Sequence, residues 1–240
     1  MGVTFISALF RPEEGSYRSI EKYKEYFVLL AQSCIPIVLF MDSSFQEYAD
    51  ELEKRFSNVR VIETLSVDKS FLSKPVFLPN NRNKEKDTVE YFCIQLMKLK
   101  IMARAAERIK SSHLAWIDFG IFHMFKDTVK AQELLREISQ KDWQITKILS
   151  PGCWSKEQIT DIWNYICWRH CGSFLLGERS RFIAAFQNQD IQVRSNMPGL
   201  TWEVNYWTLM SDFTNYFADH NDTILTNLIQ SQNTNGETLH

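Results

Sequence analysis

The 240-residue sequence predicts an α/β fold, a mixed but mostly parallel sheet flanked by helices. Three observations predict it. Short apolar, β-branched runs at 3–9, 36–41 and 59–62 alternate with longer stretches whose apolar residues recur at helical spacing. Two strand–helix–strand units in succession require right-handed crossovers and parallel pairing. A further apolar run at 113–119 (HLAWIDF) carries an acid near its end, as strands facing a ligand crevice do.

Taken in order, residues 3–9 (VTFISAL) form a buried strand that stops at Arg11-Pro12. Ser16 caps a helix to about Ser33, with Ile20, Tyr23, Phe27, Leu30 and Ala31 on its apolar face. The strand at 36–41 (PIVLFM) ends at Asp42, a helix covers about 44–56, and 59–62 is the third strand. Residues 64–87, punctuated by Lys74-Pro75, Leu78-Pro79 and the polar run 80–86, make a long loop, an active-site flap or a plain surface loop. A long helix runs from Asp87 or Thr88 to about Lys110, its core stripe Phe92, Leu96, Leu99, Ala103 and Ala106. Lys98 and Lys100 fall about 100° to either side of that stripe, at a cleft edge or snorkelling into solvent. After the strand at 113–119 come a helix near 128–140, a strand near 144–149 and a helix at 155–168. A short strand at 172–176 and helices at 179–186 and 202–217 follow. One domain spans 1–230, and the polar residues 231–240 form a flexible tail.

Composition narrows the function. An apolar share of 45% and a charged share of 23% belong to a globular chain, and 13% aromatics leave rings to line a pocket. The net charge of −2, with lysines scattered among acids, excludes nucleic acid as a partner. No apolar run approaches the roughly 18 residues of a membrane span, so no transmembrane segment is expected. The N-terminal run lacks a basic flank, and Ile6 stands where a myristoylation motif has Ser or Thr. Five cysteines without framework spacing read as reduced thiols, and a cytoplasmic location is expected. Cys167, His170 and Cys171 lack the second ligand pair of a zinc site and read as structural. No Gly-x-Ser-x-Gly, Walker, Gly-x-Gly-x-x-Gly or Cys-x-x-Cys motif supports a hydrolase or redox enzyme.

Asp118 needs a chemical reason, because a carboxylate among Trp116, Ile117 and Phe119 is costly unless paired or metal-bound. It holds a divalent cation together with phosphate oxygens, or it caps the next turn. Gly120 lets a ligand approach the backbone.

The run 116–123 (WIDFGIFH) is preceded by TFISALF at 4–10 and KIMARAA at 100–106, and followed by GSFLLG at 172–177 and WEVNYW at 202–207. Together these resemble the HtrL/YibB-like family, which belongs with glycosyltransferases of the GT-A fold, over about residues 3–229. The resemblance implies a Rossmann-like sheet with a nucleotide-binding half at about 1–125 and an acceptor half at about 126–230. It implies transfer of a hexosyl or pentosyl unit from a nucleotide-diphosphate sugar of UDP or GDP type to a glycan or other hydroxyl acceptor. It also implies Mn2+ or Mg2+ on the diphosphate, held where such enzymes usually carry Asp-x-Asp. Here Asp118-Phe119-Gly120 has glycine for the second acid, so His123 or His220 is expected to complete the metal site, or each is a lone surface histidine. Phe10, Arg11 and Lys100 are placed at the cofactor phosphates with Asp118 and Gly120, or Arg11 simply caps the loop after the first strand. Asp42 is placed at the base or ribose, or is a solvated strand-end acid. Glu203, beside Trp202 and near Tyr206 and Trp207, joins Asp118 as a catalytic carboxylate, either the base that takes the acceptor proton or an acceptor contact, or is a helix-start acid favoured by the dipole. The missing second acid keeps open an alternative, a non-catalytic nucleotide- or glycan-binding module of the same fold.

Overall fold

In the computed structural model, the described residues are 2–12, 19–69, 77–159, 161–195, 199–218 and 223–233. Seven strands form one sheet: β1 (Val3–Leu9), β2 (Ile37–Met41), β3 (Val59–Thr64), β4 (His113–Ile117), β5 (Ile148–Gly152), β6 (Phe174–Glu178) and β7 (Phe213–Phe217), in the order β3-β2-β1-β4-β6-β5-β7. All pairs are parallel except those of β6, which runs antiparallel between β4 and β5. This is the mixed, mostly parallel α/β architecture that the sequence predicts.

Period-two alternation sends neighbouring side chains to opposite faces of the sheet. Phe5, Leu39, Ile117 and Leu176 pack with α1 (Ile20–Ala31), α4 (Thr128–Gln140) and α7 (Ile224–Asn233). Ile6, Phe40, Trp116 and Leu175 pack on the other side, against α3 (Val89–Arg108), α5 (Arg179–Ser195) and the short α6 (Glu203–Trp207). The remaining helix, α2 (Gln46–Arg55), adds Ala49 and Leu52 to the first face. Helix α3 is covered by the sheet on one side and by α5 on the other, so it is buried well beyond one stripe.

Several boundaries depart from expectation for identifiable reasons. The first helix starts at Ile20 with Ser19 as its cap; Ser16 lies outside the described residues. The described residues of 155–168 form no α-helix: a Ser155–Gln158 capping box closes a single 3-10 turn. Beyond it, the Asp161 carboxylate accepts from the Trp163 and Asn164 N–H groups, and Thr201 and Asn205 bind the carbonyl of Ile162. These side-chain bonds take backbone groups that a helical ladder would need. The predicted helix 202–217 is split into α6 and strand β7, because Phe213-Thr-Asn-Tyr-Phe pairs in parallel with β5. Strand β5 lies later than expected and includes Pro151 and Gly152, residues that read as strand breakers. Helix α5 runs past 186, and α7, which sequence reading missed, extends to Asn233 into the predicted tail, whose residues 234–240 lie outside the described residues.

Candidate functional site

At the carboxyl ends of β1 and β4 a cavity of about 1080 Å³ opens between the sheet, α3, α6 and the loop before α3. Its position follows the rule that ligand crevices lie beyond the carboxyl ends of parallel strands. Its size suits a ligand larger than a single sugar ring. Within the loop expected to be a flap or a surface loop, residues 70–76 lie outside the described residues, whereas Asn83 and Lys86 line the cavity.

Asp118 follows β4 in the same parity as Trp116, so both point to the face that carries α3. The Trp116 indole N–H donates to Asp118 Oδ1 at 2.7 Å, and the Asp118 backbone N–H is fixed on Ser173 O. From α3, Lys98 reaches the same oxygen at 3.3 Å. Its ammonium also donates to Glu203 Oε1 at 2.9 Å and to the Gly172 carbonyl at 2.8 Å. Lys98 thus has an acceptor for each of its three protons, and it stands over the Trp116 ring at 5.6 Å. Lys98 and Glu203 are buried, whereas the Asp118 side chain is 36% exposed toward the cavity. Burial by itself would lower the Lys98 pKa; the Asp118 and Glu203 carboxylates outweigh it and hold the ammonium above the ordinary lysine value. Among the described residues, nothing hydrogen-bonds the second oxygen of either carboxylate.

Gly172 is required by this arrangement. A Cβ there would overlap Glu203 Oε1 and stand 2.9 Å from Lys98 Nζ. Gly120 has a different reason for being small, since a Cβ would come within 2.6 Å of the Tyr23 ring, which also lines the cavity. Tyr91 lines the cavity too; burial, then the Glu203 and Asp118 charges, push its hydroxyl pKa up, so it stays a neutral donor. Glu203 opens α6, and the next turn of that helix is pinned by Asn205. The Asn205 side chain accepts from Cys167 N and reaches the carbonyls of Ile162 and Tyr165. This clamp folds the 161–171 segment over α6 and brings Ile166 and Trp168 to the cavity wall.

Of the residues singled out from sequence, Phe10, Asp118, Gly120, His123 and Glu203 line this cavity together. Arg11 is exposed and stacks over Phe45 at 4.8 Å, away from the lining. Asp42 accepts from Ser44 N and caps a 3-10 turn. Lys100 turns away and pairs with Asp68. His220 lies outside the described residues. The lysine that enters the site is Lys98, and the rim cation is Lys86, which sits 3.4 Å from Asp87 and over Tyr91. A signal for Lys98 existed: Ile94, Met97, Ile101, Met102 and Ala105 make α3 apolar on both flanks, and a lysine in such a helix is buried and paired.

The expected divalent ion does not fit the described residues as they stand. Asp118 Oδ1, Glu203 Oε1 and Gly172 O do converge on one point, as ligands to a hard cation would, but the Lys98 ammonium fills that point. An ion on the other Asp118 oxygen would have one protein carboxylate that already carries an ammonium. His123 donates from Nδ1 to Gly120 O at 2.6 Å and keeps Nε2 as one ligand atom, but no group of three His, Cys, Asp or Glu side chains is gathered among the described residues. The Cys167–Cys171 cluster is tied up elsewhere, with His170 Nδ1 bonded to Ser150 at 2.6 Å and Cys171 to Ser173 at 2.9 Å. No helix among the described residues is long and apolar enough to cross a membrane.

No protein-family model matches the chain, and no curated protein matches it. Among solved structures it is similar to the glycosyltransferase GlyE of Streptococcus pneumoniae TIGR4, at 7% identity and TM-score 0.44, over 89% of this chain and 45% of that one. The chain therefore spans less than half the length of GlyE. It is also similar to a cytidylyltransferase from Leptospira borgpetersenii, at 11% identity and TM-score 0.43 over 99% and 98% of the two chains. A third is HddC from Yersinia pseudotuberculosis complexed with GMP-PN, at 10% identity and TM-score 0.44 over 89% and 90%. Likeness of this degree carries no argument about ligand or reaction.

Proposed function

We propose that the chain is a glycosyltransferase that moves a sugar from a nucleotide-diphosphate sugar, of UDP or GDP type, to a hydroxyl of a glycan or similar acceptor. The observation that carries this reading is the pair Asp118 and Glu203, locked by Lys98 on the floor of an aromatic-walled cavity at the carboxyl ends of β1 and β4. Rings such as Tyr23, Tyr91, Trp168 and Trp202 suit the faces of a sugar and a base, while carboxylate oxygens suit sugar hydroxyls. The resemblance of residues 116–123 to the HtrL/YibB-like family supports the same reading.

In this scheme the second Glu203 oxygen takes the proton from the acceptor hydroxyl. The acceptor oxygen attacks the sugar C1, the bond from C1 to the phosphate oxygen breaks, and the nucleoside diphosphate leaves with that electron pair. Lys86 at the rim is the cation placed to offset the negative charge that develops. Asp118 holds a sugar hydroxyl through the oxygen facing the cavity, and Tyr91 donates as a neutral phenol.

A second reading, a nucleotide- or glycan-binding module without turnover, is favoured by one observation: each carboxylate is held through one oxygen by the same lysine. Calorimetry with UDP, GDP and their sugar conjugates tests what the two readings share. Binding in the micromolar to millimolar range that weakens at least about tenfold in Lys86→Gln is expected, a loss of about 1.4 kcal/mol. No binding of any nucleotide would sink both.

A further inference from the structure

The floor of the cavity contains a coordination geometry with the wrong occupant. Three oxygens on three separate elements, Asp118 after β4, Glu203 on α6 and the Gly172 carbonyl before β6, face one point within 2.8–3.3 Å. Two are carboxylates and the third is a carbonyl, the hard oxygen donors that Mg2+, Mn2+ and Ca2+ take. The point is occupied by Lys98 Nζ, delivered by a helix buried on both sides. Gly172 admits the ammonium and Glu203 this close to the backbone, since even a methyl group there would collide with both. One positive charge therefore already stands between the two carboxylates, fixed by the fold.

We infer that Lys98 is a built-in substitute for a divalent cation at this site, so that the native chain binds no metal between Asp118 and Glu203 and needs none to bind its ligand. An ammonium supplies one positive charge with fixed direction and no ligand exchange. It positions both carboxylates and cannot itself be displaced by phosphate oxygens, as its protons are already taken. What the carboxylates then face rests on the proposed nucleotide-sugar reading, but the place of the ammonium does not.

The test uses Mn2+ alone, followed by the loss of the free aqueous Mn2+ signal in electron paramagnetic resonance, on the full chain without nucleotide. Wild type and Lys98→Arg are expected to take up no Mn2+ at the site. Lys98→Ala frees the three oxygens and is expected to bind one ion, at least about tenfold more tightly than wild type, and Lys98→Ala/Asp118→Asn to lose it. A wild-type site that disappears in Asp118→Asn would overturn the inference, as would a folded Lys98→Ala that binds no more Mn2+ than wild type. Should Lys98→Ala fail to fold by circular dichroism, the wild-type and Asp118→Asn titrations decide: coincident curves support the substitution, and separate curves refute it. Failure of the nucleotide titrations above would leave these outcomes unchanged and would count against the proposed function only.

Discussion

Replacing Lys98 by methionine keeps the apolar stem and removes the charge, and its cost can be worked from the surroundings. Glu203 is 7% exposed and loses its partner at 2.9 Å. Removing one member of a buried pair costs about 3–5 kcal/mol. The contact with Asp118, whose side chain is 36% exposed, adds little after solvent screening. The Gly172 carbonyl loses a donor at 2.8 Å, worth about 1 kcal/mol. A loss of about 4 kcal/mol at pH 7 is therefore expected. The pH dependence has a definite sign. In wild type the raised Lys98 pKa makes its contribution complete below the ordinary lysine value of 10.5, and that contribution declines as pH rises beyond it. Urea unfolding read by tryptophan fluorescence at a series of pH values measures both. Adding Glu203→Gln to Lys98→Met is expected to recover at least about half of the loss. A loss below about 1 kcal/mol at pH 7, or no recovery in the double variant, would refute the claim that the pair is buried and mutually dependent.

Two further predictions concern the surroundings of the triad. Gly172→Ala drives a methyl group into Glu203 Oε1 and is expected to cost about 2 kcal/mol, seen as a lower urea midpoint; Glu203→Gln in the same background will add less than it does in wild type, in a double-variant cycle. His170, sealed against Ser150 and Phe213, has its pKa pushed down by burial to about 3. It therefore stabilises the fold above pH 6.5 and loses about 1.4 kcal/mol per unit as pH falls below that value, a slope that His170→Gln should flatten in acid unfolding curves.

Much of the fold could be read from the chain because the parallel core is built locally. The runs at β1, β2, β3 and β4 are apolar, short and separated by helices whose stripes match the face they bury. The failures share a cause in long-range pairing. Residues 155–168 have helical spacing but surrender their backbone groups to Thr201 and Asn205, which arrive from far along the chain. The β7 sequence is aromatic enough for a helix face until β5 offers it a parallel edge. The site shows the same division. Asp118 announced itself as an acid on an apolar strand, and Glu203 as an acid among tryptophans. Their meeting depends on a lysine 105 residues from Glu203 in sequence, on a helix flank that only α5 and α6 convert from surface to interior. The fold then separates the two lysines, sending Lys98 into the cavity and Lys100 to Asp68.

In the proposed reaction the Glu203 carboxylate, held by Lys98 beside Asp118, takes a proton during sugar transfer. Release of nucleoside diphosphate from a panel of UDP- and GDP-sugars, in the presence of EDTA and with mixed glycan acceptors, tests it most directly. Wild type should release nucleoside diphosphate from at least one donor, and Glu203→Gln, checked for native folding, should do so on the order of 10²-fold more slowly. Equal rates in the two proteins would refute this role of Glu203, and release that stops when EDTA is added and returns with Mn2+ would refute the metal-free site.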